Sequence, residues 1–262
     1  MCTYIINMEI SNKYVWLADN KRNNNPLLPS NIRGLIIGKS NSGKTVVLLN
    51  LLLETNWLDY DHLYVFGKSL HQREYTIIRK AFERGLSKQE ISNLFNNQDI
   101  IKQKNINPID LINRCDINEK TIDATFFEDG DEIPDPKELD GKNNNLMVFD
   151  DCILEKQNKT AAYYTRGRHN NIDCFYISQN YFLLPRKTIR ENTNFLILFP
   201  QDSKNITHIY QDHCTDIEFS EFKSFCKTCW ETKHNFVVID LTSQKLEGKY
   251  RCNFDVFYIP ET

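Results

Sequence analysis

Eight residues constrain this chain more than any others: Gly38-Lys39-Ser40-Asn41-Ser42-Gly43-Lys44-Thr45. They satisfy the phosphate-loop pattern G-x-x-x-x-G-K-[ST] at every fixed position. The flanks agree with the motif. Leu35-Ile36-Ile37 is a short apolar run of the kind a buried strand needs, and Val46–Leu53 reads as a buried helix. A strand, a glycine loop and a helix N-terminus together make an anion site, because loop N–H groups converge on the ligand and the helix dipole favours negative charge. Lys44 is placed to reach β- and γ-phosphate oxygens, and the Thr45 hydroxyl to ligate Mg²⁺.

A phosphate loop says only that nucleotide is held. A second apolar run, Leu146-Met147-Val148-Phe149, ends in two carboxylates, Asp150 and Asp151. Asp150 at the strand tip can hold Mg²⁺, directly or through water, beside Thr45, and Asp151 is placed to orient or deprotonate the attacking water. The next strand, Ile172–Ser178, ends at Gln179. A polar residue there either caps the strand or hydrogen-bonds the γ-phosphate. Arg166 and Arg168 lie just before that strand. They are candidates for arginine fingers acting in a neighbouring site, with DNA phosphate or a surface ion pair as the other readings.

The rest of the chain reads as apolar strands alternating with helices. His62–Phe66, Asn194–Phe199, Phe236–Leu241 and Phe254–Ile259 are further strands. Tyr4–Ile10 and Tyr14–Leu17 are expected as short leading strands. Residues 71–98 and 217–230 carry helical periodicity. This predicts an α/β fold, a mostly parallel central β-sheet with helices on both faces, of the P-loop NTPase type. All 262 residues are read as one P-loop ATPase domain, with a polar insertion at about 71–145 between two strands of the sheet.

At this point a resemblance emerges. GKSNSGKT, then LMVFDD, then TRGRHNNIDCFYISQ with Tyr181 and Pro185 shortly after, resembles the DNA-packaging ATPases of large DNA viruses. These form the FtsK/HerA-like branch found in poxviruses, giant viruses, virophages and Polinton-type elements. Phe127–Pro134 is similar as well, and the likeness runs over roughly residues 30–205. It implies a RecA-like, FtsK/HerA-like fold, with ATP and Mg²⁺ as cofactors. The implied activity is a motor that pumps double-stranded DNA into a preformed capsid. Such motors act as homo-oligomeric rings, commonly pentamers or hexamers, with sites between subunits and a contact to the capsid. One departure stands out: the family often carries Glu after the magnesium-binding Asp, where this chain has Asp151.

Bulk properties set limits on this reading. With 32 Lys+Arg against 35 Asp+Glu, the net charge is −3, so nucleic-acid contact must come from a local patch or a ring lining. Arg186, Lys187 and Arg190 are the leading DNA-binding candidates, with Lys102 and Lys104 behind them. No base-reading motif is present, so sequence-independent phosphate binding is expected. No apolar run reaches a membrane span, and the start at Met1 lacks the pattern of a signal peptide. An intracellular protein is therefore expected, in host cytoplasm or nucleus during virus assembly, or carried with the virion. Its eight cysteines should be largely reduced. Cys226-x-x-Cys229, with His213 or Cys214 before it and His234 after it, offers a zinc set on paper, though with non-standard outer partners. Two other readings compete with the motor: another P-loop enzyme, such as a nucleotide kinase or replication-type AAA ATPase, and a nucleotide-gated assembly scaffold.

Overall fold

A computed structural model describes residues 22–96 and 107–260. The expected strands at 4–10 and 14–17, and Lys102 and Lys104, lie outside the described residues. Among the described residues, nine strands form one sheet in the order β3-β2-β4-β5-β1-β6-β7-β8-β9. β1 (Arg33–Ile37) lies between β5 (Ile172–Ser178) and β6 (Phe195–Leu198), and β2 (His62–Gly67) lies between β3 (Asp123–Phe127) and β4 (Asn145–Asp150). All six are parallel. β7 (Val237–Asp240), β8 (Tyr250–Cys252) and β9 (Val256–Tyr258) extend the sheet antiparallel.

The central strands are buried on both faces, so their alternating residues feed two separate cores. Ile36, Val65, Val148, Phe175 and Ile197 face the first core, which is covered by α1 (Lys44–Leu53), α2 (Arg73–Glu83), α3 (Lys88–Asn96) and α4 (Pro108–Arg114). Leu35, Ile37, Met147, Phe149, Tyr176 and Leu198 face the second. It is covered by α5 (Asn158–Arg166), α6 (Ser203–His213) and α7 (Phe219–Cys229).

The stretch read as a polar insertion is built into this frame. It supplies β3 at the sheet edge and three helices over one face, anchored by buried Tyr75, Ile77, Ile78, Phe82, Ile91 and Ile112. Most of these anchors come from the helical periodicity expected over 71–98. Near the start of the described chain, Arg22 ties the segment before β1 to the sheet. Its guanidinium pairs with Asp173 at 2.7 Å, both side chains being 1% exposed, and donates to the carbonyl of Asn145 at 2.8 Å and to that of Asn171.

The cysteines depart from expectation at one place. The end of α7 and β8 bring Cys229 and Cys252 to a Cα separation of 5.5 Å, and the two are bonded. Cys115, Cys152, Cys174, Cys214 and Cys226 are free. The zinc set is not assembled: Cys229 is engaged with Cys252, Cys226 is buried in the second core, and no metal-binding cluster of His, Cys, Asp or Glu occurs among the described residues. Among those residues, no helix is long and apolar enough to cross a membrane.

Candidate active site

β1, β4 and β5 are parallel neighbours, so their C-terminal ends open on the same edge of the sheet. That edge is where open α/β sheets place ligands. The phosphate loop leaves β1, Asp150 and Asp151 end β4, and Gln179 follows β5. These residues line a single cleft of about 780 Å³.

Two glycines let the loop close. Gly43 sits at φ 110° as the N-cap of α1, in the left-handed region that other residues avoid. A Cβ on Gly38 would lie 2.6 Å from both Cβ of Phe199 and Oγ of Ser42. Phe199, fully buried at the end of β6, is thus the floor of the loop, and its ring also lies beneath Gly43. Lys39, Ser40 and Asn41 are exposed at the loop crown. The Lys44 ammonium folds back to donate to the Lys39 carbonyl at 2.8 Å. Burial pulls its pKa down, and the charges of Asp150 and Asp151 oppose that shift, so the lysine and both carboxylates act on one another. Oγ of Ser42 is buried with no hydrogen-bond partner among the described residues, a polar group left for an anion in the loop.

The two carboxylates sit in different environments. Asp150 is buried at the end of β4. Burial pushes its carboxyl up, a hydrogen bond from Tyr75 opposes this, and the neighbouring charge of Asp151 adds to it. Asp151 is exposed, adopts φ 49°, and is fixed through its N–H, which donates to the Ile177 carbonyl at 3.2 Å. The Thr45 hydroxyl and the Asp150 carboxylate are hard oxygen donors. One carboxylate plus phosphate oxygens is the way Mg²⁺ is ordinarily held, so this donor set fits that ion.

The sequence did not mark several residues that line the cleft. Ser69, Gln72 and Glu74 enter from the β2–α2 connection and the first turn of α2. Tyr75 belongs to the helical apolar face, and nothing in that pattern distinguishes it from a plain core residue. His234, noticed only as a zinc candidate, instead reaches the phosphate loop: its Nδ1 lies 3.4 Å from the Ser42 carbonyl oxygen, at a backbone φ of 69°.

The basic candidates divide. Arg166 ends α5 and Arg168 lies in the short turn Gly167–Asn170, both before β5. They are therefore separated from Gln179 by the length of that strand, about 20 Å, and neither lines the cleft. Arg166 pairs with Asp135 at 3.5 Å, whereas Arg168 is exposed and has no ion-pair partner among the described residues. Arg186 and Lys187 are exposed in the β5–β6 connection, with Arg186 3.3 Å from Glu191. Arg190 is a correction to the DNA-binding set. It is buried, pairs with Asp212 at 3.1 Å and packs over the Tyr181 ring, so it supports this connection from within and presents no charge to a ligand.

The sheet order, the loop and the acidic strand tip together define the fold as that of a P-loop NTPase. Among solved structures, the fold is similar to that of the genome packaging NTPase B204 of Sulfolobus turreted icosahedral virus 2. In complex with AMPPCP, that protein aligns with TM-score 0.50 and 9% identity, over 86% of this chain and 98% of that one. Its complex with ATP-gammaS aligns with TM-score 0.50 and 10% identity over the same shares. No protein-family model matches the sequence, and no curated protein matches it.

Proposed function

We propose that this chain is an ATP-hydrolysing motor that moves double-stranded DNA into a viral capsid, working as a homo-oligomeric ring of five or six subunits that contacts the capsid. The carrying observation is the single cleft that collects Lys44, Thr45, Asp150, Asp151 and Gln179 at the ends of three adjacent parallel strands. The shared fold with a viral genome packaging NTPase, crystallised with ATP analogues, supports the same direction.

In this reading the loop N–H groups and the N-terminus of α1 hold the phosphates of ATP, and Lys44 leaves the Lys39 carbonyl for the β- and γ-oxygens. Thr45 and Asp150 would hold Mg²⁺, which would supply positive charge to offset the charge that develops during phosphoryl transfer. Asp151 orients the attacking water and takes its proton. Gln179 contacts the γ-phosphate and responds to its loss. Gln179 shares one connection with Arg186 and Lys187, so its movement is passed to groups suited to DNA phosphate. Arg168, exposed on the opposite edge of the sheet, serves as the finger for the neighbouring subunit's cleft. A net charge of −3 is compatible with this, since only the channel lining need be basic.

The deciding experiment measures ATP turnover with and without double-stranded DNA, alongside mass in solution with a non-hydrolysable nucleotide. DNA-stimulated turnover and a ring-sized mass are expected, with turnover lost in Lys44→Ala. A monomer whose turnover ignores DNA, or phosphoryl transfer to a nucleoside acceptor, would overturn the motor.

A further inference from the structure

Asp150 has two carboxylate oxygens, and the fold has committed one of them. Tyr75, in the first turn of α2, donates its hydroxyl to Oδ2 of Asp150 at 2.5 Å. The tyrosine is 1% exposed and its ring is locked in the first core with the apolar side chains of α2. That helix buries Ile77, Ile78, Ala81 and Phe82 as well, so a phenylalanine would serve the packing equally. A buried hydroxyl is costly unless paired, and its hydrogen-bond partner here is the acid at the tip of β4.

The backbone beneath Asp150 is fixed too, because β4 pairs with β2 at Gly67 and with β5 at Ile177. A carboxylate on a rigid strand end retains side-chain rotation as its remaining freedom. A hydrogen bond to its charged oxygen from a locked ring removes that freedom. The same stretch of chain brings Ser69, Gln72 and Glu74 to the cleft wall, so Tyr75 joins the metal-binding acid to the segment that forms that wall.

We propose that Tyr75 is the positioning residue of the magnesium site: its hydroxyl holds Oδ2 of Asp150 and leaves Oδ1 as the oxygen available to Mg²⁺ beside Thr45. This rests on reading Asp150 as the magnesium ligand. Hydrogen-bonded partners of this kind orient metal ligands generally, and their loss weakens metal binding without emptying the rest of the site.

The test uses the full chain and a fluorescent ADP analogue, titrated in EDTA and then against rising Mg²⁺. Wild type, Tyr75→Phe, Asp150→Asn and the double variant are compared. In EDTA, Tyr75→Phe should bind the analogue as wild type does, which also shows that the cleft is folded. Its half-saturating Mg²⁺ should rise about 10- to 100-fold. In the Asp150→Asn background the same substitution should add nothing, because the hydroxyl then has no charged oxygen to hold. Direct Mn²⁺ binding, read by electron paramagnetic resonance, should weaken in parallel. If Asp150→Asn raises the Mg²⁺ requirement and Tyr75→Phe does not, Asp150 keeps its role and Tyr75 loses its own. Equal losses from Tyr75→Phe in both backgrounds, or in EDTA as well as Mg²⁺, would reduce Tyr75 to a packing residue. An Asp150→Asn protein with unchanged Mg²⁺ dependence would remove the ligand assignment itself, and the positioning role with it.

Discussion

Replacing Asp151 by asparagine tests the hydrolytic assignment most directly. Asp151 follows the last residue of β4 at φ 49°, a conformation that asparagine adopts readily and alanine does not. Alanine would add backbone strain of about 1–2 kcal/mol to any loss of chemistry, so asparagine is the cleaner probe. The side chain is exposed, and its N–H bond to the Ile177 carbonyl survives the substitution. Folding stability should therefore change by less than about 0.5 kcal/mol. Removing the charge also removes one of the influences that push the Asp150 carboxyl up, so metal binding should not weaken on that account. What is lost is the group that accepts a proton from water. General-base catalysis is worth roughly 10²–10⁴ in rate, or about 3–5 kcal/mol of barrier. The assay compares single-turnover phosphate release, affinity for a fluorescent nucleotide and the thermal midpoint. A fall of at least about a hundredfold in the first is expected, with the other two near wild type. Turnover close to wild type in Asp151→Asn, with Lys44→Ala inactive, would refute the reasoning. The proton acceptor would then have to be sought at Glu74, another carboxylate lining the cleft.

Arg168→Ala should leave stability and nucleotide affinity unchanged while turnover collapses. Mixing it with Lys44→Ala subunits should restore activity, because each variant supplies the part that the other lacks, and failure to complement would discard the trans assignment. Arg22→Met strands Asp173 without its buried partner and should cost about 3–5 kcal/mol, a fall on the order of 10 °C in thermal midpoint; Arg22→Met/Asp173→Leu should recover most of it. A midpoint unmoved by Arg22→Met would mean that the pair contributes nothing. His213 is pulled down to about 4, chiefly by burial, with Asp212 opposing and Lys249 and Arg190 reinforcing the shift. Its Nε2 lies 2.8 Å from the Tyr181 hydroxyl. The unfolded chain binds a proton near pH 6.5 and the folded one does not until near 4, so stability is full above pH 6.5 and falls between those values. The loss is as much as about 3 kcal/mol. Denaturant melts from pH 7 to 4 should show this, and His213→Gln should flatten the slope.

Much of the cleft is legible in the chain because its parts are local. A phosphate loop needs its glycines, lysine and threonine at fixed spacing, since a few consecutive N–H groups must converge on one anion. Asp150, Asp151 and Gln179 are legible because a buried strand must end, and a polar residue at its tip is exposed to the ligand edge. The same reasoning finds the helices within 71–98 but fails for β3, where Asp123-Ala124-Thr125-Phe126-Phe127 carries too few apolar residues to announce a strand, yet the strand pairs with β2 at the sheet edge. It also fails for Arg190, which looks like Arg186 and Lys187 in sequence and becomes a buried partner of Asp212 only when α6 packs beside it.

By itself, then, the sequence determined the phosphate loop, the acidic strand tip, the polar residue that follows β5 and the alternating pattern that makes a two-faced parallel sheet. Each is written in neighbouring residues. Tertiary structure alone decided that Phe199 floors the loop, that His234 touches it, that Tyr75 holds Asp150, and that Arg166 pairs with Asp135. These are relations between segments far apart in the chain. They depend on strand order and helix packing, and a one-dimensional pattern does not record which distant side chain will fill a given contact.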